Sequence, residues 1–283
     1  MESAKDILIN AMASGSAIPA VPAVMSRLTA ICRDPSATAR DLAKVIQMDA
    51  NLATKILKRV NSSFYGLSAQ IKTITHAVVI LGFHEIKHMA LAFPVAAMFQ
   101  AKQSKGLDIT KLWEWTLTVA CIARALSYHI AHPVPEQVFV SAILGKTGML
   151  VMSNELGGRY RDAVGPILES EQVPFVEKTR FEVSHVQIGW ILARQWQFPD
   201  ELLDAIAYQY NPTPRVGFKR EAGLIYAARR FHLAVKNGDD LAETLAGFPP
   251  EVAEGFALTP EVAQVAVARA RGEYEEIKKM LES

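Results

Sequence analysis

Val138-Phe-Val-Ser-Ala-Ile-Leu-Gly-Lys-Thr-Gly-Met-Leu-Val-Met152 is almost wholly apolar, and Lys146 is its only formal charge. The run is too short to span a bilayer as a helix. An apolar run without a polar face reads instead as a helix buried inside a folded domain. Gly145 and Gly148 interrupt it at a spacing that leaves room for a neighbouring backbone or a ligand. A lone lysine in such surroundings needs a partner, a route to water or a shifted pKa.

Composition sets the frame around this stretch. At 283 residues, half of them hydrophobic, the chain is long enough for one large domain or two lobes. Lys and Arg number 30 against 29 for Asp and Glu, a formal charge of +1. That balance argues against strong nonspecific binding to nucleic acid. Cys32 and Cys121 each fall in a helical pattern and read as small core residues, not as a disulfide framework. The N-terminus lacks the basic start and apolar run of a secretory signal, and no segment reaches membrane-span length. A cytoplasmic protein with no membrane contact is the expectation.

Outward from the buried stretch, the whole chain reads as helices. Upstream, the spacing predicts helices over 3–13, from Pro22 to about Asp34, from Thr38 with Asp41 as a capping pair, and from Asp49 to Val60. Ile74 to Leu81 ends at Gly82, and His84 to Phe93 is broken or kinked by Pro94. The polar segment Gln100 to Asp108 marks a boundary. Beyond it, helices are predicted over 112–130, 159–170, 174–181, 185–196, 200–208, 222–235 and 260–281, with a turn at Asn211 to Pro214. No β-alternation is long enough to define a strand.

Three short motifs carry possible chemistry, and each is incomplete. Gly145-Lys-Thr147 matches the end of a phosphate-binding loop, but Val140 stands where its first glycine belongs and no strand precedes it. His84-Glu-Ile-Lys-His88 puts two histidines at i and i+4, the spacing of a zinc site on a helix. Leu91 replaces the glycine of the longer metalloprotease motif, and Glu114 is only a distant third ligand. The expected reading is a solvated face, with both histidines and Lys87 on the rim. Residues 41–59 have the cadence of a helix-turn-helix, with Asn51, Thr54, Lys55, Lys58 and Arg59 on the second helix. The charge balance favours a plain structural helix pair.

The chain resembles the HDOD family, catalytically degenerate relatives of the HD metal-dependent phosphohydrolases. In the first half the matching residues are Ile18-Pro-Ala-Val-Pro22, Asp34-Pro35, Leu42-Ala43, Asp49 with Leu52, Lys55 through Gly66, Ile74, Ala77 and Leu81-Gly82. In the second they are Leu112-Trp113, Gly148, His185 through Gly189, Trp196, Pro199 and Ala205-Ile206. The resemblance implies an all-α, two-lobed helical bundle with an HD-like second lobe. Residues 14–100 would form the first lobe, 107–235 the second, and 241–283 a helical extension packed outside or reaching towards a partner.

HD chemistry uses histidines and aspartates that converge on metal ions, and the metal activates a water. At the corresponding positions this chain has Trp115, Gly145-Lys146, Gln209-Tyr210 and Ala228; only His185 survives. The resemblance therefore implies no catalytic residue, no bound metal and no cofactor. The degenerate pocket would be Trp115, Gly145, Lys146, His185, Gln209, Tyr210 and Ala228. Lys146 is expected to snorkel towards the surface, in preference to standing in for a metal's charge. The implied function is a non-enzymatic bacterial signalling module with a signalling protein as partner, and with room for a small-molecule or nucleotide ligand. The alternatives are a metal-dependent phosphohydrolase with atypical ligands and a helix-turn-helix DNA-binding regulator.

Overall fold

A computed structural model describes residues 3–14, 23–99, 104–213 and 217–282 of the chain. Its first helices are α1 (Ala4–Ala13), α2 (Ala23–Arg33), α3 (Ala39–Gln47), α4 (Ala50–Val60), α5 (Ile74–Leu81) and α6 (Phe83–Met98). Local chemistry sets their starts. Ser3, Asp49 and Thr73 each accept a backbone N–H of the first turn, and Thr38 with Asp41 forms a reciprocal capping box. Helices α2 to α5 pack around α6, whose residues from Ile86 to Ala96 are buried. The proposed start of α2 at Pro22 and the end of the turn at Pro214 lie outside the described residues.

The second group begins with α7 (Ile109–His129), α8 (Pro135–Leu144), α9 (Thr147–Leu156) and α10 (Gly158–Val164), followed by a 3-10 turn at Gly165–Ile167. Then come α11 (Val173–Phe181), α12 (His185–Gln195), α13 (Asp200–Tyr208) and α14 (Arg220–Asn237). The last are α15 (Leu241–Ala246), α16 (Pro250–Ala253) and α17 (Pro260–Glu282). The long helix α7 is the axis, with α8, α14 and α17 around it, while α12 crosses α9 and α6 packs on α8. No strand occurs among the described residues, and the fold is all-α. One apolar core runs through both groups. Each leucine-sized side chain it buries stabilises the fold by about 1.5–3 kcal/mol.

Several expectations need correction. The buried stretch is not one helix: α8 ends at Gly145, Lys146 is non-helical at φ −107°, and α9 starts at Thr147. Pro94 does not break α6, which continues to Met98. Proline in a helix interior costs about 3 kcal/mol, and the buried neighbours Phe93 and Val95 hold the helix in place. Within the segment expected as a boundary, Ser104 and Leu107 are tied to α9. Ser104 bonds Ser153 Oγ at 2.6 Å, and the Leu107 N–H donates to the same oxygen at 2.7 Å. The final helix, α17, packs on α7, and its Glu273 is buried there.

Candidate functional site

The break between α8 and α9 is built by close approach. A Cβ on Gly148 would stand 2.0 Å from the His185 carbonyl oxygen and 2.7 Å from the Gly189 nitrogen. Only a glycine lets α9 and α12 cross there, and that crossing seats His185 beside the break. A Cβ on Gly145 would stand 2.8 Å from the Gln209 amide. The two glycines thus make room for a neighbouring backbone and for a neighbouring side chain.

Lys146 is 1% exposed and does not reach the surface, contrary to the snorkelling expectation. Its Nζ donates to Gln209 Oε1 at 3.0 Å and contacts the Tyr210 hydroxyl at 3.0 Å. It also lies 4.6 Å from the centre of the Trp115 ring and 4.7 Å from that of Tyr210. Gln209 is fixed in turn, because its Nε2 donates to the carbonyls of Gly145 and Ile206 at 3.1 Å. The amine is held by neutral acceptors and aromatic faces, with no carboxylate within bonding distance among the described residues. Burial pushes the Lys146 pKa well below the usual lysine value, and the nearby Arg229 adds to this; Glu171 and Glu177 oppose it.

His185 holds the other side. Its backbone N–H donates to Glu177 Oε2 at 2.8 Å, and Nδ1 lies 2.7 Å from the same oxygen. The second Glu177 oxygen accepts from the Tyr160 hydroxyl. Burial lowers the His185 pKa despite Glu177, and the carboxylate oxygen opposite Nδ1 makes Nδ1 the donor of that bond. The ring's Nε2 has no hydrogen-bond partner among the described residues. Ala228 is fully buried, and the residue after it supplies a guanidinium. Arg229 stacks 3.5 Å from the Tyr210 ring centre, donates to the Gln209 carbonyl at 2.6 Å and pairs with Glu171.

The structure thus brings together Trp115, Gly145, Lys146, His185, Gln209 and Tyr210, all named from sequence; of Ala228 it shows burial beside Arg229 in α14. Sequence reasoning missed Arg229, Glu171, Glu177 and Tyr160. The signal for Arg229 was its place next to Ala228; nothing local marked the others.

The donor set does not fit the metal that HD chemistry implies. Arg229 brings positive charge to the site, and the Lys146 amine is already bonded to Gln209 and Tyr210. Glu177 is bonded to His185 and Tyr160, and Glu171 to Arg229. Among the described residues no group of three or more His, Cys, Asp and Glu side chains converges as a metal site.

The other motifs resolve differently. His88 is buried, its Nδ1 bonds the His84 carbonyl at 2.8 Å, and burial drops its pKa to about 3. Lys87 is buried as well, so the solvated rim expected for this helix holds for His84 alone. The cause is that α6 is covered on nearly every side. Glu85 accepts a bond from Tyr65 at 3.1 Å, and Glu114 lies 3.5 Å from Lys278. At the supposed phosphate loop, Thr147 Oγ1 donates to the Leu144 carbonyl inside the helix break. The supposed reading helix loses Arg59 to the interior.

Comparison with known proteins agrees with this architecture. The HDOD domain matches residues 18–212, and the chain belongs to that family. A crystal structure of a protein from Shewanella amazonensis, provisionally named a phosphohydrolase, is 21% identical with a TM-score of 0.74 and covers 98% of both chains. An HDOD domain protein of unknown function from Geobacter sulfurreducens is also 21% identical, with a TM-score of 0.70, over 98% of this chain and 97% of that one. A protein from Marinobacter aquaeolei, provisionally named for signal transduction, is 20% identical with a TM-score of 0.68; the match covers 100% of this chain and 62% of that one. An uncharacterized protein of Treponema pallidum is 24% identical over 69% of this chain, a span that takes up only 38% of that relative. No helix among the described residues is long and apolar enough to cross a membrane.

Proposed function

We propose that this HDOD protein is a non-enzymatic signalling module that works by binding a protein partner in the cytoplasm. In this reading residues 14–100 and 107–235 act as two lobes, and 241–283 as an extension. Lys146 carries the proposal. By resemblance it stands where an HD hydrolase places a metal-ligating aspartate, and its amine is bonded to Gln209 and Tyr210. Hydrolysis of a phosphate ester in this family's manner needs a metal-activated water. A buried lysine beside Arg229 disfavours a divalent cation. The Marinobacter aquaeolei protein named for signal transduction is in keeping with a signalling role.

The test is an assay of the purified chain with manganese, magnesium, nickel and iron(II). Substrates are nucleotides, cyclic dinucleotides and generic phosphate esters. No multiple-turnover hydrolysis is expected. Turnover that co-purifies with the protein and falls on His185→Ala would overturn the reading and favour a phosphohydrolase with atypical ligands.

A further inference from the structure

Arg59 on α4 and Arg124 on α7 are 3% and 1% exposed where α4, α7, α8 and α17 come together. Aromatic faces hold both guanidiniums: Arg59 lies 4.0 Å from the Phe64 ring centre, and Arg124 lies 4.1 Å from that of Phe139. Glu136 on α8 pairs with Arg124 at 2.5 Å and lies 4.0 Å from Arg59. The other carboxylates come from α17. Glu273 accepts from Arg124 Nε at 3.1 Å and Nη2 at 2.7 Å. Glu276 faces Arg59 at 3.6 Å and accepts from the Ser63 hydroxyl. Residues three apart share a helix face, so α17 presents both carboxylates together. The cavity beside the arginines is about 20 Å³, room for about one water. Their ligand is therefore the helix itself.

The hold of α17 is incomplete. Neither Nη of Arg59, nor Glu276 Oε2, has a hydrogen-bond partner among the described residues. Glu276 remains 33% exposed. A groove of about 430 Å³ opens along one flank of α17, between Tyr274 on that helix and Thr118 and Ile122 on α7. A second, also about 430 Å³, opens on the other flank along its first half, against Tyr128 and His129. Much of the buried seam between them is alanine: Ala263, Ala266 and Ala270. Alanine buries little area, so each contributes less to docking than a leucine does. Val265 is 68% exposed.

We propose that α17 is a displaceable internal ligand. The Arg59–Arg124 seat recognises a helix with two carboxylates one turn apart, and a partner's acidic amphipathic helix takes the place of α17. The inference rests on the reading of the chain as a binding module and names the chemistry of its partner. With α17 lifted away, Glu136 is the one carboxylate left within 4.0 Å of either arginine among the described residues. Two buried guanidiniums then share one anion, and the seat favours an acidic replacement.

The test uses the full chain and a labelled peptide of residues 260–282 added in trans. E273Q/E276Q loosens the internal helix and is expected to bind the peptide about tenfold more tightly than the wild type. A peptide carrying both glutamines is expected to bind that variant about tenfold more weakly. Hydrogen exchange on the unmodified chain is the second measurement and needs no variant. The α17 amides are expected to exchange at least about tenfold faster than those of α7, through a sub-global opening. Equal protection of α17 and α7 overturns the proposal, as does equal peptide affinity of wild type and variant. A dimer that exchanges α17 between copies also overturns it, in favour of a second copy as occupant. None of these readouts involves phosphate-ester turnover, so the inference and the binding reading can fail separately.

Discussion

Lys146 and Arg124 are both buried cations, each 1% exposed, and their surroundings differ in kind. Lys146 has a side-chain amide, a phenol and an indole ring around it. The carboxylates nearby are bonded to other groups. Arg124 has Glu136 and Glu273 in direct contact, and its pKa is held well above the usual value, since those carboxylates outweigh the cost of burial. The contrast follows from the side chains. A lysine amine can release its proton when desolvated, whereas a guanidinium cannot at any ordinary pH. Neutral acceptors suffice for the first; the second requires anions. The Lys146 site thus joins the α8–α9 break to Trp115 on α7 and to the end of α13 through neutral groups. The Arg124 site ties together helices distant in sequence.

The comparison breaks most sharply at Arg124. Arg124→Ala leaves Glu136 and Glu273 buried without their main partner, and it should cost about 3–5 kcal/mol. The denaturant midpoint of the purified variant measures this. A loss under about 1 kcal/mol would mean that the cluster is wetter than its burial indicates.

Glu85 sharpens the same side through pH. Burial, and secondarily the charge of Glu136, raises its pKa from 4.5 to about 7. The folded chain thus holds this proton more tightly than the unfolded chain does. Its stabilising contribution is full below about pH 4.5 and is lost as pH rises through about 7. The change amounts to about 3 kcal/mol at most. Glu85→Gln should flatten that part of the stability–pH curve. An unchanged curve would remove Glu85 from the junction's electrostatics.

Gly148→Ala tests the other side. A Cβ there meets backbone atoms of α12, which cannot swing away as a side chain can. The expected loss is about 2–3 kcal/mol, read as a fall in Tm. Full stability would show that α9 and α12 cross less closely than the geometry requires.

The smallest effect is expected from Lys146→Met. The methionine fills the space and removes a buried amine, while Gln209 Oε1 loses its donor. These terms oppose each other, and the net should lie within about 1 kcal/mol of zero. The pH dependence should change more clearly. With its pKa lowered in the fold, Lys146 binds its proton less readily folded than unfolded, so its contribution makes stability rise with pH until the usual lysine value is reached. The variant should lose that rise. A loss of several kcal/mol in Lys146→Met would mean that the lysine is paired, and the contrast with Arg124 would fail.

Most of the helices were legible because capping residues and apolar spacing are local. Thr38 with Asp41, and Asp49, are examples. The short helices α15 and α16 have too few residues for an apolar period, and they were read only as part of a helical extension. The degenerate pocket was legible through the resemblance, since motif order places Trp115, Lys146, His185, Gln209 and Tyr210 near one another. The fate of Lys146 was not, because snorkelling and burial look alike in sequence. The difference depends on whether Gln209 and Tyr210, on another helix's end, close over the amine.

The sequence by itself determined an all-α chain of the HDOD family, because helix periodicity and motif residues are properties of the chain as written. Only the tertiary structure decided that Arg59 leaves the supposed reading helix's surface for the interior. It also decided that Glu85 joins Tyr65 and Glu136, and that Glu273 reaches Arg124 across 149 positions. A surface charge and a buried one have the same letter in the sequence. Which it becomes is set by the helices that pack against it, and for this junction those helices come from both halves of the chain and from α17.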